Sequence, residues 1–175
     1  MVAKQRPYYV IGVDPGNTGT IVILDTDGGY ISHHQMPTKT VGKDTRVCGK
    51  GIADLLHLMD KYVEAAYIEQ VHAMPKQGVS STFTFGYAAG AVQGALEALK
   101  IPCYKIRPQE WKKMFDLKGS EKDDARLTLV DELSDKVEDI NAKGKGQALA
   151  DAILVARCGI QLKKQKEAEN NDNKS

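Results

Sequence analysis

The first 36 residues hold three strand-like runs separated only by tight turns, with no room for a helix between them. Residues 8–14, YYVIGVD, are apolar and β-branched and close on a carboxylate. PGNTGT follows as a tight turn. Residues 20–26, TIVILDT, read as a second strand, Asp27-Gly28-Gly29 as a hairpin turn, and 30–36, YISHHQM, as a third strand. A chain that opens this way begins with an antiparallel meander rather than a βαβ unit, because antiparallel neighbours need only a short turn and parallel ones need a crossover.

Beyond the meander, helix and strand signals alternate. The segment 38–50 reads as a basic loop. Residues 51–65 space Ile52, Leu55, Leu56, Met59 and Val63 as one helical face. AYIEQV (66–71) reads as a fourth strand. A Pro/Gly/Ser loop leads to a long helix over 82–99, with Ser80 or Ser81 in position to cap it. IPCYKI (101–106) is the fifth strand. Short helices are expected at 108–116 and 121–134, a polar Gly-rich loop at 135–146 and a last helix at 147–163, with Leu149, Ile153, Ala156 and Ile160 as its apolar stripe. The expected fold class is therefore α/β: a mixed five-stranded sheet, βββ-α-β-α-β-α along the chain, flanked by helices. Residues 1–165 form one domain in this reading, and 166–175 are a disordered polar tail without apolar periodicity.

Composition excludes several classes. No run approaches eighteen apolar residues, so no membrane span is expected. Three isolated cysteines (Cys48, Cys103, Cys158) and four histidines show no paired zinc-site spacing, which argues against a disulfide framework or a structural zinc. The N-terminal segment has neither a signal peptide's apolar core nor its cleavage site. A reducing cytoplasm, in a bacterium or a phage-infected cell, is the expected location. The formal net charge of +1 does not announce a nucleic-acid binder. Local charge is more informative. Lys39, Lys43, Arg46 and Lys50 crowd one loop, and Arg107, Lys112, Lys113, Lys118 and Lys122 crowd another region.

Three acids break their local patterns. Asp14 closes an apolar strand, Glu69 interrupts AYIEQV, and Asp151 sits in the apolar run ALADAILVA. Buried carboxylates are costly unless paired, hydrogen-bonded or bound to a metal, and local rules tend to fail at functional sites. If the three converge, they offer hard oxygen donors suited to Mg²⁺ or Mn²⁺. Two such ions roughly 4 Å apart would clamp a phosphodiester and support its hydrolysis. Taken singly, each acid reads as a cap, a turn residue or a surface charge, and only their joint placement points to a site.

The segments IGVDPGNTGTIVIL, YIEQVHA, WKKMFDLKGSEKDDAR and ADAILVA, in this order across about 8–163, resemble the RuvC-type Holliday junction resolvases. The resemblance implies an RNase H-like fold and a homodimer that cuts four-way DNA junctions with two Mg²⁺ or Mn²⁺ ions per site, in symmetric paired nicks. It implies Asp14, Glu69 and Asp151 as metal ligands and catalytic residues, with Lys113 and Lys122 as catalytic lysines near the scissile strand. It places His72 where the family often carries an aromatic that stacks on a junction base. Lys39, Lys43, Arg46, Lys50, Arg107, Lys112 and Lys118 are the remaining candidate DNA contacts.

One departure stands out. The family carries a further acid or histidine three or four residues before the last aspartate, and here those positions hold Ala148 and Gln147. A weaker second metal site, an engineered inactive variant, and replacement by Glu138 or Asp139 all remain open. Gly86, Gly90 and Gly94 recur every four residues in the long helix at a cost of about 1 kcal/mol each. Two readings of that stripe stand: a dimer interface, as the resemblance implies, or close packing on the chain's own sheet. Other nuclease specificities on the same fold and a junction-binding protein without catalysis are the rival functions. An actin-like kinase, which shares the strand-DxGxTGT opening, needs two large lobes that 175 residues cannot supply.

Overall fold

A computed structural model describes residues 8–70, 78–117 and 123–172. Strands β1 (Tyr9–Asp14), β2 (Thr20–Asp25) and β3 (Tyr30–Gln35) form the expected meander. The five-stranded sheet has the order β3-β2-β1-β6-β7, with β6 at Val63–Glu69 and β7 at Cys103–Ile106. β1 pairs antiparallel with β2 and parallel with β6, and β7 continues the parallel half. The two parallel junctions are bridged by helices, as geometry requires.

Both faces of β1 are covered, which explains its unbroken apolar run. Val10 joins one cluster with Val22, Leu24, Ala65 and Tyr67, under helices α3 (Pro108–Met114), α4 (Asp124–Leu133) and α5 (Lys143–Asp172). Ile11 and Val13 point the other way, to Ile21, Ala66 and Ile68, under α1 (Gly49–Leu56) and α2 (Val79–Ala98). Two glycines let α5 lie close on the sheet. A methyl group at Gly12 would overlap the carbonyl oxygen of Ala152, and one at Gly159 would overlap the ring of Tyr67. The helix therefore meets β1 almost backbone to backbone, next to Asp151.

Several boundaries differ from expectation. The basic segment 38–50 is not simply a loop. It contains a hairpin, β4 (Thr38–Val41) and β5 (Asp44–Val47), turned by Gly42 at φ 63°. Its β-branched residues and glycine-first two-residue turn are hairpin signals, yet only Val47 is buried, so no apolar alternation revealed it. Helix α1 stops at Leu56, because Val63 belongs to β6, where it pairs with Tyr9. The N-cap of α2 is Gly78 rather than Ser80 or Ser81, which lie inside the helix. The last helix starts at Lys143 and continues to Asp172, so residues 166–172, expected to be disordered, are helical. Long-range ion pairs of Lys163 with Glu64 and Lys164 with Asp27 accompany that extension. All three cysteines are free. Among the described residues no helix is long and apolar enough to cross a membrane.

Candidate metal and nucleic-acid site

Asp14 and Glu69 occupy equivalent ends of neighbouring parallel strands, each one residue past the paired positions Val13 and Ile68. Asp14 is followed by a turn closed by the Gly19 N–H donating to the Gly16 carbonyl at 2.9 Å. Asp151 arrives from α5, in its third turn, because that helix packs so closely on β1. Asp14 and Asp151 line one cleft of about 480 Å³, together with Thr18, Asp123, Lys143, Gln147 and Ala148. Glu69 is not part of the cleft lining, but its charge is felt at both aspartates.

The electrostatics are those of crowded, dehydrated acids. Burial pushes the Asp14 carboxyl up to about 7, Glu69 adds to the rise, and a hydrogen bond from the Gly16 backbone partly offsets it. Burial likewise pushes Asp151 up to about 7, with Glu69 and Asp14 adding to it. The charge of Lys112 and the hydrogen bond from Gln147 act in the opposite direction. Such a site is short of positive charge.

The residues present suit a hard divalent cation. They supply carboxylate oxygens whose charge burial disfavours, and a buried amide oxygen, Oε1 of Gln147, with no hydrogen-bond partner among the described residues. The cage is not closed as it stands. Among the described residues, no trio of Asp, Glu, His or Cys side chains is arranged to hold a single ion.

Three further residues shape the site. Trp111, 1% exposed, donates from Nε1 to Glu69 Oε1 at 3.0 Å and so fixes that carboxylate. Sequence reasoning missed it, although the chain's lone tryptophan beside two candidate lysines was a signal. Lys112 is the lysine whose charge reaches Asp151, and its ammonium lies 5.4 Å from the centre of the Trp111 ring. Lys113, its neighbour on α3, is exposed. Asp123 lines the cleft, held by Arg126 through Nε at 2.8 Å and Nη2 at 2.7 Å, which lowers its pKa. The acids proposed to replace the missing ligand lie elsewhere. Asp139 pairs with His33 Nε2 at 3.1 Å, Glu138 is exposed, and neither lines the cleft.

The other candidates divide. Lys39 and Lys43 are exposed on the hairpin. Arg46 is half-buried there, paired with Asp44 at 2.9 Å and stacked 5.3 Å from the Phe83 ring centre and 5.4 Å from that of Tyr87. This arrangement anchors the hairpin on α2. Asn17, three residues after Asp14, donates to the Thr45 carbonyl at 2.8 Å and ties the hairpin to the turn beside the cleft. Lys50 pairs with Asp54 one helical turn away. Arg107 is exposed at the start of α3, where its backbone N–H donates to Glu110 at 2.9 Å. His72, Lys118 and Lys122 lie outside the described residues. Gly86, Gly90 and Gly94 are exposed, and a methyl group at any of them would meet nothing within 4 Å. Close packing of that stripe on the chain's own sheet is thereby overturned.

No family model and no curated protein sequence matches the chain. Its fold does match solved structures. A Thermus thermophilus RuvC in complex with Holliday junction substrate superposes with a TM-score of 0.59 at 20% identity, covering 90% of this chain and 96% of that one. A second Thermus thermophilus RuvC structure gives 0.51 at 17% identity, with the same coverage. The mixed five-stranded sheet with its flanking helices is a fold shared with these RuvC structures.

Proposed function

We propose that this chain is a divalent-metal-dependent endonuclease that resolves four-way DNA junctions as a homodimer. The observation that carries the reading is the meeting of Asp14 and Asp151, 137 residues apart in sequence, in one cleft, on a fold shared with a RuvC bound to junction DNA.

Asp14, Glu69 and Asp151 are the residues that would hold Mg²⁺ or Mn²⁺, two per site in this reading. Bound there, such ions supply neutralising charge at the scissile phosphate and promote attack by water. The chain's own groups do the rest. Trp111 keeps Glu69 in one orientation. Lys112, whose charge reaches Asp151, is suited to hold a phosphate oxygen and to offset charge that develops on it. Lys113, and Lys122 outside the described residues, keep the catalytic role that the resemblance implies. Lys39 and Lys43 offer sequence-independent backbone contacts on a hairpin anchored beside the cleft. The glycine stripe of α2, open on its outer side, suits close approach of a second copy. Two-fold symmetry would then present two equivalent sites to a junction of matching symmetry.

A synthetic four-way junction incubated with the protein and Mg²⁺ tests the proposal. The expected result is paired, symmetric, ligatable nicks that D14N or D151N abolishes while junction binding persists. Intact strands under all metal and salt conditions, with junction binding retained, would instead support the second reading, a junction-binding protein without catalysis. Gln147 in place of a charged ligand favours that reading. Equal cutting of linear duplex would remove the junction specificity.

A further inference from the structure

Gln147 sits one helical turn before Asp151, and its Nε2 donates to Asp151 Oδ1 at 2.8 Å. That bond sets the orientation of the amide. With Asp151 ionised, as it is beside a bound cation, the flipped amide would place two oxygens against each other, so the NH₂ faces the carboxylate and the carbonyl faces away. Oε1 is left buried without a partner, although Gln147 belongs to the lining of the cleft that holds Asp14 and Asp151. Buried acceptors are rarely left unpaired, and an unpaired one calls for a water, an ion or a strain argument. The surrounding carboxylates repel a second acceptor and attract a cation. A cation is therefore the partner that satisfies both the orphan oxygen and its neighbours.

We infer that Gln147 is a neutral metal ligand, binding the divalent ion through Oε1 while its Nε2 orients Asp151. This rests on the reading of Asp14 and Asp151 as metal-holding residues. It also gives the site a specific character. An amide carbonyl supplies a hard oxygen without a charge, and hard-cation affinity is tuned by the number of charged ligands. The ion is thus held more weakly than a further carboxylate would hold it.

Mn²⁺ binding to the full chain, followed by calorimetry without DNA, tests the inference. Wild type is expected to bind Mn²⁺. Q147L, close in volume and lacking both polar groups, should bind about tenfold more weakly. Q147E, which keeps an acceptor and adds charge, should bind about tenfold more tightly. Added negative charge favours a nearby cation whether or not residue 147 touches it, so direct ligation is read from the Gln147 carbonyl resonance and Q147E checks only the sign. Weaker binding by Q147E, or equal binding by all three proteins, overturns the inference. A readout on wild type removes any dependence on how the variants fold. The side-chain carbonyl carbon of Gln147 should shift in its NMR spectrum when Mg²⁺ is added, and a carbonyl resonance unmoved at saturating Mg²⁺ also overturns the inference. The two levels separate cleanly. Wild type that binds no Mn²⁺, or binds it equally well after D14N, sinks the metal-site reading and this inference with it. Binding that D14N abolishes but Gln147 does not influence sinks the inference alone.

Discussion

Trp111 Nε1 and Glu69 Oε1 meet at 3.0 Å, joining α3 to the end of β6 across 42 residues of chain. The tryptophan is buried and the carboxylate is only partly exposed, so this bond sets which way Glu69 faces. W111F keeps most of the ring's apolar packing and removes the donor. Removing a hydrogen bond to a charged group costs about 1.5–3 kcal/mol. We expect a fall in junction cleavage of roughly ten- to a hundredfold, the size seen when a supporting hydrogen bond to a metal ligand is removed, with the circular dichroism spectrum unchanged. Wild-type cleavage by W111F would remove the positioning role.

Acid crowding predicts a pH dependence of stability in metal-free protein. Asp14 and Asp151 each titrate at about 7 when folded, against a reference near 3.8. Between those values the folded state binds more protons than the unfolded chain. Stability is therefore highest below about pH 4 as far as these two groups are concerned, and declines as pH rises to about 7. Above that it levels off. Thermal unfolding in chelator across this range should show the decline. D14N should flatten it and raise the metal-free Tm at pH 8 by several degrees, given about 2–4 °C per kcal/mol for a chain of this size. A Tm that rises steadily from pH 4 to 7, with no difference between wild type and D14N, would contradict the geometry of the site.

Gly12 is the point where β1 and α5 come closest. G12A places a methyl group against the Ala152 carbonyl; the methyl is fixed to one backbone and the carbonyl belongs to the other, so neither can swing aside. Overpacking of this kind costs about 1–3 kcal/mol. The variant should unfold at lower denaturant concentration and lose Mn²⁺ affinity, since Asp151 is carried on the displaced helix. Unchanged stability would show that the helix can shift freely.

Arg46 was a candidate DNA contact, and the structure gives it another task. Its guanidinium lies over the rings of Phe83 and Tyr87 and is paired with Asp44. Lys39 and Lys43 are the exposed positive charges of the hairpin. K39A/K43A should weaken junction binding and flatten its dependence on log salt by about 1–2 units, as expected from about 0.9 for each phosphate no longer neutralised. R46A should weaken binding as well, but R46K should not restore it fully, because a lysine cannot stack as a planar guanidinium does. Full rescue by R46K would make Arg46 an ordinary charged group facing DNA.

Much of this molecule was legible in its sequence because the signals were local. A strand buried on both faces must be apolar throughout, so YYVIGVD and TIVILDT announced the centre of the sheet, and a carboxylate in such company announced itself by its cost. Asp14, Glu69 and Asp151 were conspicuous for that reason alone. Other features depend on partners remote in the chain. The hairpin at Thr38–Val47 has almost no buried face and is held by Arg46 on α2 and Asn17 beside Asp14. The last helix outruns its apolar stripe, and ion pairs to Glu64 and Asp27 tie its polar extension to the sheet. The charge of Lys112 reaches Asp151 because of where α3 docks. The orphan oxygen of Gln147 follows from one bond to Asp151 and from the closeness of β1, which Gly12 permits. Patterns of burial are written residue by residue, whereas the meeting of side chains is set by how whole elements dock.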